Sequence, residues 1–186
     1  EADFQGYTKE FITDKIHYFS LLRPFSEFHI AKKFASLPQY HAVFRSCNAG
    51  SKTNSWCRKC AKCLFIYSIL SPFLESQALI NIFGENLLEK SSLLEEFKGL
   101  LGFVPVKPFE CVGTVSEIRY ALALTVRSLQ AKGASLPFLL AYFAEHSNIG
   151  EILAGQHGFL NFNDENSIPQ KFLAIAKEMY AFVTRD

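Results

Sequence analysis

Four of the five cysteines are crowded between Cys47 and Cys63, as Cys47, Cys57, Cys60 and Cys63 at spacing C-x9-C-x2-C-x2-C. Thiolates are soft donors, and four of them can close a tetrahedron around one zinc ion and leave no position open. Two residues between cysteines suit a tight turn that aims two sulfurs at one ion, and the nine-residue loop can return Cys47 as the fourth ligand. A closed tetrathiolate site is normally structural, so this pattern points to a loop pinned by zinc (Zn²⁺) rather than to a catalytic metal. An iron–sulfur cluster is the alternative. The ferredoxin run C-x2-C-x2-C-x3-C-P is not completed here, because Tyr67 stands four residues after Cys63. Cys47 would then have to serve from afar.

The chain has 186 residues, 49% of them hydrophobic, with 19 Phe, enough for one domain with a sizeable core or two small ones. Lys and Arg number 19 against 18 Asp and Glu, so no global field points to nucleic acid or to an anionic membrane. An odd number of clustered cysteines argues for a reducing compartment, and no stretch of eighteen apolar residues occurs, so the sequence reads as cytoplasmic, without a membrane span. The first residue is Glu1 and the one methionine is Met179, which suggests a piece of a longer polypeptide.

In order along the chain, the spacing predicts an amphipathic helix over residues 7–16 and a short buried strand over Ile16–Leu22. Arg23-Pro24-Phe25-Ser26 breaks that run. Ser26 is a good N-cap for a helix with Glu27 in its first turn, ending at Leu37-Pro38. Ala42-Val43-Phe44 reads as a second short strand that delivers Arg45 and Cys47. From Cys60 the pattern turns helical, and the remainder is helical throughout. Segments 77–83, closed by Gly84, 91–101, closed by Gly102, and 135–147 are followed by an ambiguous stretch at 150–162 and a final helix at 168–183. Thr114 and Glu117 form a T-x-x-E capping box that opens the strongest helix, running to about Lys132. The fold class expected is mostly α with a few short N-terminal strands, the end of an α/β domain followed by a helical domain. The boundary falls near residues 72–76, giving a region 1–74 with the cysteine site and a helical domain 75–186.

Two resemblances meet in these residues. Phe19-Ser20-Leu21-Leu22-Arg23-Pro24-Phe25-Ser26, followed by the cysteine quartet, is similar to the later half of the ATP-pyrophosphatase (adenine nucleotide alpha hydrolase-like) enzymes, notably 7-cyano-7-deazaguanine synthase. A closer likeness covers most of residues 16–125. The segments Arg23–Glu27, Val43–Asn48, Trp56–Phe65 and Lys107–Thr114 resemble the bacterial UDP-N-acetylmuramoyl-L-alanyl-L-glutamate epimerase family. That resemblance implies an ATP-dependent inversion of the terminal L-glutamate of a UDP-muramoyl dipeptide during peptidoglycan precursor synthesis, with Mg²⁺ and an acyl adenylate. The pyrophosphate loop Ser-Gly-Gly-x-Asp-Ser occurs nowhere in these residues, and no G-x-x-x-x-G-K-[ST] replaces it. The expectation is therefore the C-terminal portion of such an enzyme, inactive alone, with an ATP-binding region as its partner.

Candidate site residues follow. Arg23 and Arg45, each beside a turn, suit a phosphate or the substrate's glutamate carboxylates, or else brace a loop. Glu27, Ser46, Asn48 and Lys52 complete the substrate-binding candidates. Cys111, apart from the quartet, and Glu110 beside it are the candidate acid–base groups for α-proton exchange; a structural thiol is the alternative for Cys111. Lys52, Arg58, Lys59 and Lys62 around Trp56 fit a zinc-ribbon module for nucleic acid, or charge compensation of a doubly negative tetrathiolate–zinc site. No second basic stripe extends that footprint, so nucleic acid is disfavoured. A module that docks to a protein partner, and an ATP-pyrophosphatase acting on another substrate, are the remaining alternatives.

Overall fold

In the computed structural model, which describes every residue except Lys107, Phe109 and Asp186, helices α1 (Ala2–Phe11), α2 (Glu27–Ala35), α3 (Ala61–Leu70), α4 (Ser76–Phe83), α5 (Leu94–Leu100), α6 (Val115–Ala131), α7 (Phe138–Glu145), α8 (Ile149–Ala154) and α9 (Gln170–Val183) follow one another. Short 3₁₀ turns fall between several of them, including Pro38–Tyr40, Ser51–Thr53 and Ser91–Leu93.

The core is built on α3. It is apolar all round, with Leu64, Phe65, Tyr67, Ile69 and Leu70 all buried, the pattern of a helix enclosed by others. Helix α6 packs along it, burying Ile118, Ala121, Leu122 and Val126, and α2, α4 and α5 cover its other sides. Helices α7 and α8 lean on α6, and α9 packs on α2. Residues on both sides of position 74, from Phe28 to Phe143, join one continuous core.

Local signals explain the boundaries. Ser26 Oγ accepts from the His29 amide at 3.2 Å and opens α2, whose first turn carries Glu27. Gly84, at φ +90°, closes α4 in the left-handed conformation that costs a side-chain-bearing residue most. The Thr114–Glu117 capping box forms as its motif requires, the Thr114 amide donating to Glu117 at 2.7 Å and Thr114 Oγ accepting from the Glu117 amide at 3.3 Å.

The expected strands are absent among the described residues. Ile16–Ser20 has no regular structure and no neighbouring strand among the described residues, and residues 20–25 turn through hydrogen bonds from Arg23 N to Ser20 O and from Phe25 N to Leu22 O. Ala42–Phe44 continues the turn begun at Pro38–Tyr40, with Phe44 N donating to Tyr40 O. An apolar run satisfies its backbone as a strand only beside another strand. Here both runs close local turns instead. The N-terminal helix begins earlier than its periodicity suggests, at Ala2, and ends by Phe11. Ser91 opens a 3₁₀ turn rather than capping an α-helix; α5 proper starts at Leu94.

Candidate metal centre

The segment 45–60 is held by turns rather than by regular structure. Gly50 sits where a Cβ would overlap the Ser55 carbonyl oxygen, so the loop closes on itself only with glycine there. Its amide and that of Cys57 both point at Cys47, with N···Sγ distances of 3.3 and 3.4 Å. Arg58 takes φ +61°, unusual for a residue with a side chain. That kink is braced from a distance, since Lys90 Nζ donates to the Arg58 carbonyl at 3.0 Å and to Glu85 at 2.9 Å. Glu85 also lies 3.7 Å from the Arg58 guanidinium. Cys60 is the N-cap of α3, and its sulfur faces the Cys63 amide at 3.5 Å. Trp56, buried between Phe44 and Phe83, fixes the loop's floor with ring centroids 5.3 and 4.6 Å away.

These elements bring Cys47, Cys57, Cys60 and Cys63 together, their sulfurs all within 4.8 Å of one another. Cys57 Sγ lies 3.7 Å and Cys60 Sγ 3.5 Å from Cys63 Sγ. A disulfide needs about 2.05 Å, and all four thiols are free. A tetrahedron with zinc–sulfur bonds of about 2.3 Å has edges of about 3.8 Å. The cluster therefore has the size of a four-thiolate metal site. Its electrostatics fit the same reading. Burial pushes Cys60 up to about 11 and drives Cys63 well above the ordinary thiol range. Burial also opposes ionisation of Cys47, but the Cys57 and Gly50 amides outweigh it and bring that thiol to about 7. Four clustered sulfurs, those of Cys47 and Cys63 buried and those of Cys57 and Cys60 half-buried, need a cation to ionise together.

The other candidates divide between places. Asn48 Nδ2 donates to Glu110 Oε2 at 3.2 Å, so the loop after Pro108 lies against the cysteine loop. Cys111 is exposed beside it and is not among the clustered thiols. Arg45 turns back on the Phe44 carbonyl at 2.6 Å, Ser46 is half-buried beside it, and Lys52 is exposed in its 3₁₀ turn. Lys107 and Phe109 of the resemblance segment lie outside the described residues.

Glu27 belongs to a second group. Its amide donates to Glu117 Oε1 at 2.8 Å, while Glu117 Oε2 accepts from both the amide and the hydroxyl of Thr114. Loss of water around the Glu27 carboxyl and the neighbouring Glu117 carboxylate raise its pKa, and Lys62 draws it down. Gly113 lies where a Cβ would crowd Phe65, Glu117 and Glu27 together. The clasp thus ties the starts of α2 and α6 to α3 just beyond the cysteines. Arg23 lies elsewhere, lining a cleft of about 380 Å³ with Phe25, Phe162 and Asp164.

The family described as the MurL C-terminal domain matches residues 43–152, more than half of the chain and all four clustered cysteines. The chain belongs to that family. Three curated relatives carry the name UDP-N-acetyl-alpha-D-muramoyl-L-alanyl-L-glutamate epimerase. That from Xanthomonas oryzae pv. oryzae is 39% identical over 130 residues, covering 67% of this chain and 29% of the relative. The Micromonospora protein is 42% identical over 121 residues, 63% of this chain and 27% of its own length. The Salinispora tropica protein is 45% identical over 111 residues, 58% and 24% respectively. This chain thus spans about a quarter of the relatives it matches. No solved structure matches it.

Residue spacing reveals the quartet, the Ser26 cap and the Thr114–Glu117 box. It does not reveal Lys90 and Glu85, which brace Arg58 from beyond α4, or the second carboxylate oxygen of Glu117, which serves α2. Nothing in the local pattern around either group distinguishes it from a solvated charge.

Proposed function

We propose that the chain forms the metal-pinned C-terminal part of an ATP-dependent epimerase that inverts the terminal L-glutamate of UDP-MurNAc-L-Ala-L-Glu to D-glutamate for peptidoglycan precursor synthesis. The observation that carries this is the family match through the cysteine loop and the Asn48–Glu110 contact, together with relatives named for that reaction at 39–45% identity. Zinc is the metal the four thiolates fit; its role is to hold the loop, with no open position for substrate. Residues 1–74 carry the metal site, and the helical region 75–186 supports it and contributes Glu110 and Cys111. On this reading ATP is bound by an α/β region of ATP-pyrophosphatase type outside these 186 residues. A UDP-linked precursor and free cysteines support a cytoplasmic reaction.

The chemistry has a physical rationale. Removing the α-proton beside a carboxylate builds a second negative charge next to the first. Attack of that carboxylate on the α-phosphorus of ATP, with Mg²⁺, releases pyrophosphate and leaves an acyl adenylate whose α-carbon is more acidic. A base takes the α-proton, a proton returns on the opposite face, and water cleaves the adenylate to the D-glutamyl carboxylate and AMP. Glu110 and Cys111 are the groups assigned to proton exchange. Arg45, Ser46, Asn48 and Lys52 on the adjoining loop hold the substrate's anionic groups, while Glu27, at the clasp with Glu117, and Arg23, in its own cleft with Phe162 and Asp164, are the more distant substrate-binding candidates.

The test joins this chain to the remaining region of the Micromonospora relative and incubates it with UDP-MurNAc-L-Ala-L-Glu, ATP and Mg²⁺ in ²H₂O. The expected product carries D-glutamate with deuterium at Cα, formed only with ATP, and the 186-residue chain alone gives none. Glutamate that stays L and acquires no deuterium in a folded, ATP-binding hybrid would refute the proposal.

A further inference from the structure

Helix α1 is amphipathic in the wrong sense for a lone chain. Its one buried residue is Thr8, whereas Phe4, Tyr7 and Phe11, spaced i, i+3 and i+7, face water. Ile12, Ile16 and Tyr18 continue the apolar surface, and all six side chains are between 50% and 66% exposed. The rings touch in pairs, Phe4 with Tyr18 and Tyr7 with Phe11, each at 5.0 Å between centroids.

The face is held in place. Glu1 accepts from the amides of Ser20 at 2.6 Å and Ser167 at 3.1 Å, and Gln5 donates to the Tyr18 carbonyl at 2.7 Å. Phe19 stacks on Phe172 of α9, with centroids 5.3 Å apart. Phe4, Tyr7, Phe11 and Tyr18 alone leave roughly 340–560 Å² of exposed ring surface, taking ~150–250 Å² for each whole residue, and Ile12 and Ile16 at 64% and 61% exposure extend it. Monomers seldom show a patch beyond about 300–600 Å², and a standard interface uses about 800 Å² on each side.

The location of the patch identifies its occupant. Every one of these residues lies before residue 43, outside the segment that matches the family, while the relatives carry about three quarters of their length beyond the region this chain matches. A membrane surface fits poorly: α1 holds Lys9 alone against Asp3 and Glu10, without the basic face that binds anionic lipid. We propose that the exposed face of α1 and residues 12–18 is the docking surface for the polypeptide that makes up the rest of the relatives' length, whether in the same chain or in a separate one. The inference rests on the family and on the buried and exposed faces of α1, not on the epimerase chemistry.

The full 186-residue chain is co-expressed with the tagged remaining region of the Micromonospora relative. Light scattering reads stoichiometry, and mass spectrometry reads amide exchange. The expected result is a 1:1 complex in which residues 2–18 exchange at least tenfold more slowly than in the isolated chain. Phe11→Ser with Ile16→Ser should weaken the complex at least tenfold while leaving the isolated chain's helical signal and unfolding midpoint unchanged, because both side chains already meet water. A complex that ignores the double substitution and protects another surface overturns the proposal. So does the absence of a complex with a soluble, folded partner region, and so does a dimer of the isolated chain that the double substitution abolishes. None of these readouts involves turnover, so an inactive complex would count against the epimerase reading and not against this surface.

Discussion

Replacing Glu117 with Ala removes the clasp between α2, α6 and the loop before them. Glu117 is only 4% exposed and accepts three hydrogen bonds, from Glu27 N at 2.8 Å, Thr114 N at 2.7 Å and Thr114 Oγ at 2.6 Å. Hydrogen bonds to a charged acceptor contribute about 1.5–3 kcal/mol each, and a donor left buried without a partner costs about 1–3 kcal/mol. Thr114 is exposed, so water replaces part of what its groups lose; the Glu27 amide at the α2–α6 contact recovers less. The net cost expected for Glu117→Ala is therefore about 2–4 kcal/mol, or roughly 4–16 °C in Tm at 2–4 °C per kcal/mol for a chain of this size. Glu117→Gln keeps one carbonyl oxygen and should cost about half as much. Chemical denaturation followed by circular dichroism and Trp56 fluorescence measures both, and coincident transitions verify two-state unfolding. A double-mutant cycle with Thr114→Ala isolates the capping box, with a coupling of about 0.5–3 kcal/mol. A loss below about 0.5 kcal/mol for Glu117→Ala would refute the reasoning that this carboxylate holds the two helix starts together.

Gly50→Ala places a Cβ against the Ser55 carbonyl and should cost more than about 1 kcal/mol, read as a lower unfolding midpoint and faster release of metal to a chromogenic chelator. Cys111→Ser should leave metal content and helicity unchanged, since Cys111 is exposed and apart from the cluster, while Cys63→Ser abolishes one-to-one metal binding. His29 is buried between Phe25 and Tyr180 with Nδ1 unpartnered, and burial lowers its pKa. The folded chain thus binds fewer protons there than the unfolded chain between the lowered value and about 6.5; this contribution grows as pH rises through that window and is lost below it. His29→Leu should flatten the pH dependence of the unfolding free energy just below about pH 6.5, where the unfolded histidine takes up its proton and the buried one does not. An unchanged slope would assign that dependence to other groups.

The readable parts of the sequence were those whose physics is local. Ser26, the Thr114–Glu117 box and Gly84 act within one helical turn, and their residue types announce them. The cysteine quartet was legible for a related reason, because ligand spacing is itself a local constraint. The strands at 16–22 and 42–44 failed because a strand is defined by its neighbour, and an apolar run carries no sign of whether a neighbour exists. Ile16 and Val43 stay exposed, and only Phe44 of the second run packs on the core, against Trp56 and Phe34. The bonds from Lys90 to Arg58 and from Glu27 N to Glu117 join residues 32 and 90 positions apart, which no local pattern records.

The central claim is that Cys47, Cys57, Cys60 and Cys63 hold one metal ion that pins the loop to the start of α3. The most direct measurement is elemental mass spectrometry of the chain purified without added metal, paired with the same measurement on Cys60→Ser. The account predicts one zinc per chain, lost in the variant together with the fixed environment of Trp56. Iron with labile sulfide, or a metal-free protein whose four thiols all react freely while the fold stays intact, would contradict it.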